Sequence, residues 1–330
     1  EEDQTEEEYN GLLNDAILSY QTICNEDMIA STQDLNIIHF FVSSKYFKLS
    51  ENMQFLDQEF ANGISKYLMS GQSDSLVEQS LLILSNLFYR HPNSYSPLTD
   101  DSIIYLLFDI LQHVDINFHY LAMICLNSYY LISNETKNFL LRNNILVKVR
   151  DYLIRSENIN HIEIGLKFLH NLVLNNFNGH YEEFLQFVPI FPKLLRNQSI
   201  LNRQKAIWIL SILMKNDRFF EFCQINQLHS VLADCSVNTI GPAYAYCLYK
   251  CIFTFAKKRF LKTFSIEPIF NGMMFIFKQK VITNISSIFF VLSLLIDNYG
   301  EILFDNLFHI ECIQYAKYSC FENKLSACYC

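Results

Sequence analysis

The sequence predicts an all-α protein, a right-handed solenoid of stacked helical repeats, and three observations carry that expectation. Only 8 glycines and 6 prolines occur in 330 residues, too few for the turn chemistry of a many-stranded β protein. Half of the chain is apolar, ample for a core, and its length exceeds that of a usual single domain. One apolar phrase also recurs at a nearly fixed interval along the chain, the signature of a repeat architecture.

The phrase reads "SLLILSNL" around Leu84 and "LKFLHNLV" around Leu169. It returns as "MICLNSYYL" around Leu126, "AIWILSILMKN" around Leu210, "AYCLYKCIF" around Leu248 and "FFVLSLLIDN" around Leu292. Successive leucines stand 38 to 44 residues apart, within the period of armadillo and HEAT arrays and longer than tetratricopeptide units. One period earlier lies Val42 in "NIIHFFVSSKYF", a seventh copy; one period later lies past the last residue, so the array stops inside a repeat. The expected organisation is an acidic N-terminal segment over 1–34, partly disordered or a capping helix. A repeat array over 35–330 follows.

Each unit reads as three helices. In 134–175, "NETKNFLL" opens with a cap-competent Asn134 and an early Glu135, both suited to a helix N-terminus. "RNN" breaks it, and "ILVKVRDYLIR" places Ile145, Val149, Tyr152 and Leu153 on one stripe at helical spacing. "SENIN" is a polar turn, followed by the longest helix, whose Ile162, Leu166, Leu169 and Leu172 make a buried face. Asn175, Asn216 and Asn298 recur six residues after their leucines, where Asn can take the left-handed conformation that ends a helix.

This unit resembles an armadillo repeat: a short first helix, a break, a second helix and an "A-L-x-N-L"-like third helix. "VPIFPKLLRN" at 188–197 is similar to the second-helix phrase, with Pro189 at a helix start where its missing N–H costs nothing. "NNILVKVRDYLIRS" and "SIEPIFNGMMFIFK" are further versions. The resemblance covers about 35–320 and rests on period and order. It implies that the third helices line a concave groove. In peptide-binding members, an Asn on that helix bonds the backbone of an extended peptide and a Trp four residues earlier stacks on it, as in the importin-α receptors.

Here that ladder is degenerate. The Asn positions read Asn86, Ser128, Asn171, Ile212, Lys250 and Leu294, and the Trp positions read Leu82, Ile124, Lys167, Trp208, Tyr246 and Phe290. The expected partner-binding residues are therefore Asn86, Ser128, Lys167, Asn171, Trp208, Tyr246 and Lys250. Trp208, the chain's one tryptophan, has two readings: a binding hot spot in the groove, or a core residue of the inter-repeat stack.

Charge and cysteine content narrow the function classes. The net charge is −9, and residues 1–44 hold ten acids with no Lys or Arg. "EEDQTEEE" reads as a solvated tail, and an acidic chain is a poor match to nucleic-acid binding. The ten cysteines show no zinc-finger spacing; Cys24, Cys125 and Cys223 lie in apolar helical contexts. Cys247 and Cys251 are one turn apart, and Cys320, Cys328 and Cys330 crowd the end; reduced, mostly buried thiols are expected. The longest uncharged apolar run, 281–296, is too short to span a membrane, and no signal peptide is visible at the start.

No phosphate-binding glycine loop, HExxH or GxSxG occurs. His161 with Glu163, and His113 with Asp115, are read as polar residues of turns. His170, on a third helix, reads as a groove or rim residue. No catalytic residue, metal, cofactor or small-molecule substrate is expected. The reading is a non-enzymatic scaffold or adaptor, cytoplasmic or nuclear, that binds a protein or peptide. Its alternatives are a structural subunit of a cytoskeletal or trafficking assembly, or a divergent importin-α-like receptor.

Overall fold

The structure, a computed structural model, describes residues 6–25, 28–44, 47, 57–69, 72–90, 101–113, 116–237, 242–257 and 269. Among these residues every regular element is helical. The chain divides into two compact units, Glu1–Lys148 and Val149–Cys330. The first holds α1 (Glu6–Cys24), α2 (Thr32–Ser43), α3 (Gln58–Leu68), α4 (Asp74–Arg90), α5 (Asp101–His113), α6 (Ile116–Tyr130) and α7 (Asn134–Arg142). The unit boundary falls within α8 (Ile145–Arg155). The second unit continues with α9 (Ile159–Phe184), a 3-10 helix (Leu185–Ile190) and α10 (Phe191–Leu195). It goes on through α11 (Ile200–Leu213), α12 (Asp217–Ile225), α13 (Leu228–Val237) and α14 (Pro242–Lys257).

Short polar side chains start these helices. Ser31 and Ser133 form reciprocal capping boxes with Asp34 and Thr136 at the heads of α2 and α7. Asp57, Asn158, Ser199 and Asn216 accept from backbone N–H groups at the heads of α3, α9, α11 and α12, satisfying donors that no helical carbonyl can reach.

The expected register organises the core. Leu84, Leu126, Leu169, Leu210 and Leu248 are all fully buried, as is Val42 one period earlier. They lie on α4, α6, α9, α11, α14 and α2. In the first unit α2 packs on α4 and α4 on α6; in the second α9 packs on α11 and α11 on α14. Each helix thus buries its apolar stripe against its counterpart one repeat away, which no isolated repeat could do. Leu292 lies outside the described residues.

Polar contacts keep the same period. In the first unit Cys125 Sγ donates to the Leu81 carbonyl at 3.2 Å, 44 residues back. In the second, Asn202 Nδ2 donates to the Ile159 carbonyl at 2.9 Å across 43 residues. Lys193 Nζ closes the end of α8 by donating to the carbonyls of Leu153, Ile154 and Ser156 at 3.0, 2.7 and 2.7 Å. A lysine there satisfies carbonyls left without helical partners and meets the negative end of the helix dipole.

Several local expectations are corrected. Asn175 does not end its helix: its Nδ2 donates to the Asn171 carbonyl at 2.7 Å, and α9 runs on to Phe184. Asn216 has φ −84° and caps the head of α12 instead, because its carboxamide reaches two backbone N–H groups there. The left-handed residues are Asn144 (φ 58°) and Gln227 (φ 54°), each at the corner between a first and a second helix. They stand two periods apart. Pro189 lies inside the 3-10 helix, and Pro192 takes the start of α10. Asn298 lies outside the described residues.

The acidic N-terminal segment is helical from Glu6, and α1 packs on α2 and α3. Gly63 makes the α1–α3 approach possible. A Cβ there would stand 2.7 Å from both the Ile23 carbonyl oxygen and Ile23 Cγ2, so any larger residue pushes on α1 backbone. Tyr20 on α1 donates to Asp57 Oδ2 and stacks on Phe60, ring centroids 5.8 Å apart.

Candidate functional site

The α-helical period puts residues two before and two after each register leucine on one side of their helix. Burial shows which side that is. On α11, Ala206, Ile207, Ile209, Leu210, Ser211 and Leu213 are buried, whereas Trp208 and Ile212 are half-buried and Leu201 is exposed. On α9, Leu166, Phe168, Leu169, Leu172 and Val173 are buried; His170 and Asn171 are half-buried and Lys167 is exposed. Asn86 on α4, Ser128 on α6 and Lys250 on α14 are half-buried in the same way. Tyr246 lies in α14, with its side chain outside the described residues.

Trp208 is therefore not one of the buried residues of the inter-repeat stack. Its indole rests on the imidazole of His170 from the neighbouring repeat, ring centroids 4.1 Å apart and tilted by 53°. Beside this pair Lys205 Nζ meets Glu163 Oε1 at 2.8 Å, tying α11 to α9 across the same face. Burial holds the His170 pKa below the ordinary histidine value and the Lys205 charge adds to that, against an opposing hydrogen bond with Asn171. At neutral pH the Trp208–His170 pair is accordingly an uncharged aromatic shelf.

Asn86 stands differently. Its Nδ2 donates to the Leu82 carbonyl of its own helix at 2.9 Å, a bond that uses one of the two amide N–H groups and none of the acceptor capacity of the carboxamide oxygen. On the first unit's face, Asn86 and Ser128 bring no charge. The second unit brings Lys167, Asn171, Trp208 and Lys250 onto consecutive packed helices. His170, read from the sequence as a groove or rim residue, completes the shelf; its pairing with Trp208 and the place of Lys205 are legible only once α9 and α11 are set side by side in register.

Of the two His–acid pairs, one is described. His161 lies in the first turns of α9 rather than in a turn, stacked on Tyr152 with centroids 6.2 Å apart, and Glu163 is committed to Lys205. Capping by Asn158 starts α9 early enough to absorb both residues. Asp115 lies outside the described residues. Among the described residues no group of three His, Cys, Asp or Glu side chains could hold a metal. Cys125, Cys223, Cys247 and Cys251 are buried and free, and burial raises the pKa of each thiol, which suppresses the reactive thiolate. Cys24 is half-buried and pushed up to about 11, mainly by burial. Cys320, Cys328 and Cys330 lie outside the described residues. No described helix is long and apolar enough to cross a membrane.

Comparison with known proteins turns on the fold. No family model and no curated protein matches the chain. Solved structures do. A designed armadillo repeat protein in complex with the peptide (KR)4 superposes with a TM-score of 0.56 at 14% identity, over 72% of this chain and 98% of that one. The fold is an armadillo-like repeat array. A second designed armadillo repeat protein gives 0.56 at 13% identity over the same shares. An engineered protein from the Northeast Structural Genomics Consortium gives 0.59 at 11% identity, over 99% of this chain and 85% of that one. In armadillo terms α9, α11 and α14 are third helices, α8 and α13 second helices, and α7 and α12 first helices. The first helix expected between α9 and α10 is the C-terminal extension of α9 itself.

Proposed function

We propose that this protein is a non-enzymatic interaction scaffold whose third helices receive an extended segment of a protein partner. The observation that supports this most is the position of Trp208. The fold leaves its one tryptophan half-buried rather than in the core, on a face where the neighbouring helices add hydrogen-bonding and cationic side chains. Aromatic anchors set among polar groups are what binding hot spots are made of. The residues assigned to the contact are Asn86, Ser128, Lys167, Asn171, Trp208, Tyr246 and Lys250. A protein or peptide, rather than nucleic acid or a small molecule, is the ligand class that such helix faces take.

One observation favours a second reading, in which the array is held in a larger assembly through other surfaces. Ile225 and Phe222 on α12, a first helix, are 75% and 37% exposed, an apolar surface on a helix other than the third helices. Photo-crosslinking separates the two. A photoreactive residue replacing Asn171 should yield adducts from native extract that map to one partner segment, while the same residue at Ile225 should yield none. Adducts from Ile225 alone would replace the adaptor reading with the assembly reading.

A further inference from the structure

The third helices of the second unit carry a charge opposite to that of the chain. The whole protein is at −9. Yet α11 and α14 contain no Asp or Glu, and the first four turns of α9 contain only Glu163, which Lys205 neutralises at 2.8 Å. Against this stand Lys167 on α9, Lys215 just past α11 and Lys250 on α14. Lys167 and Lys215 are exposed, and neither has an ion-pair partner among the described residues. The third helices of the first unit lack this pattern: α2 carries Asp34, α4 carries Asp74 and Glu78, both exposed, against Arg90 as its last residue, and α6 carries no charge.

We infer that the second unit's third-helix face takes an acidic extended segment of a partner protein, with one aromatic or large aliphatic side chain seated on the Trp208–His170 shelf. This rests on the scaffold reading above and specifies the chemistry of its ligand. Two features of the site select the occupant. Lysines flanking an uncharged shelf attract carboxylates along the segment and repel a basic one such as (KR)4, the peptide in complex with the designed armadillo protein. The shelf itself is two aromatic rings packed on each other, centroids 4.1 Å apart, an apolar surface that suits an aromatic or aliphatic side chain rather than a phosphate. A polyanion recognised by charge alone, such as single-stranded nucleic acid, would not need it.

The test uses the full-length chain and fluorescent peptides of about twelve residues, read by anisotropy at low and physiological salt, where screening lengths differ severalfold. The first peptide is Glu/Asp-rich with one central Phe, the second replaces that Phe by Ser, the third is neutral with the Phe kept, and the fourth is (KR)4. An oligonucleotide serves as the nucleic-acid probe. The expected result is that the first binds at least about tenfold tighter than each of the others, a difference of about 1.4 kcal/mol. Its affinity should fall with salt. Lys167→Glu combined with Lys250→Glu should weaken it by at least about tenfold, and Trp208→Ala should do the same, while circular dichroism and the melting temperature stay near wild type.

Four results would overturn the inference. If (KR)4 or the neutral peptide binds best and Trp208→Ala abolishes that binding, the acidic assignment fails and the third-helix site stands. If the oligonucleotide binds best and ignores Trp208→Ala, the face is a general polyanion surface. If the acidic peptide binds but neither the lysine pair nor Trp208 matters, both the inference and the scaffold reading fail for this face. Absence of any acidic-peptide binding up to about 1 mM, an affinity near 4 kcal/mol, also overturns the inference, leaving the crosslinking result to decide the scaffold reading.

Discussion

Truncating Leu169 tests the repeat register directly. Its side chain is fully buried on α9 between Phe168 and the half-buried His170, and α9 packs against α11. Leu169→Ala removes three carbon atoms from a site with no solvent to fill the gap. The lost transfer energy and the cavity together cost about 2–5 kcal/mol. Leu174→Ala is the matched control: the same helix and the same atoms removed, but at 57% exposure, where about 0.5 kcal/mol or less is expected. Chemical denaturation followed by circular dichroism reads both. Unfolding of a repeat array need not be two-state, so the comparison is between midpoints of the transition that reports the second unit. A Leu169→Ala midpoint no lower than that of Leu174→Ala would refute the register, and with it the placement of every residue assigned to the third-helix face.

Three further outcomes follow from the packing. Gly63→Ala places a methyl 2.7 Å from the Ile23 carbonyl, so overpacking of about 1–3 kcal/mol outweighs a helix-propensity gain of up to about 1 kcal/mol; a lowered melting temperature with faster amide exchange in α1 is expected, and a stabilised protein would contradict the packing. Gln227→Gly relieves a left-handed backbone (φ 54°) that costs an L-residue about 1–2 kcal/mol; denaturation should show a small gain in stability or none lost, despite the greater freedom of glycine in the unfolded chain. His39, His161, His170 and His229 all have pKa values lowered by burial. The unfolded chain therefore binds protons first as pH falls below about 6.5, and stability present above that value is lost as pH drops through the lowered folded values. The melting temperature should fall between pH 7.5 and 5, with a shallower slope in His170→Gln; a rise on acidification would contradict the burial of these rings.

Why the fold was legible while parts of the site were not is visible in particular residues. The leucines at 84, 126, 169, 210 and 248 report the repeat because burial between neighbouring helices tolerates little but a large apolar side chain, so the period survives in the sequence. Asparagines carry less information. The same carboxamide caps a helix head at Asn216, back-bonds inside a helix at Asn175 and supplies a left-handed corner at Asn144, and sequence alone cannot assign these roles because each depends on which backbone group comes within about 3 Å. The Trp208–His170 shelf and the Lys205–Glu163 pair share this limit. Each joins residues about one repeat apart, so they become visible only when α9 and α11 lie side by side.

The central claim is that a partner segment covers Trp208, and the chain carries a built-in reporter of it. Because Trp208 is the one tryptophan in 330 residues, indole fluorescence of the free protein comes from that site alone. Acrylamide quenching should be measured before and after saturation with the crosslinked partner segment, prepared as a tryptophan-free peptide. The account predicts that the quenching constant falls by about half or more as the half-buried ring is covered, the desolvation expected of a hot-spot aromatic. Saturated binding with the quenching constant unchanged would contradict it.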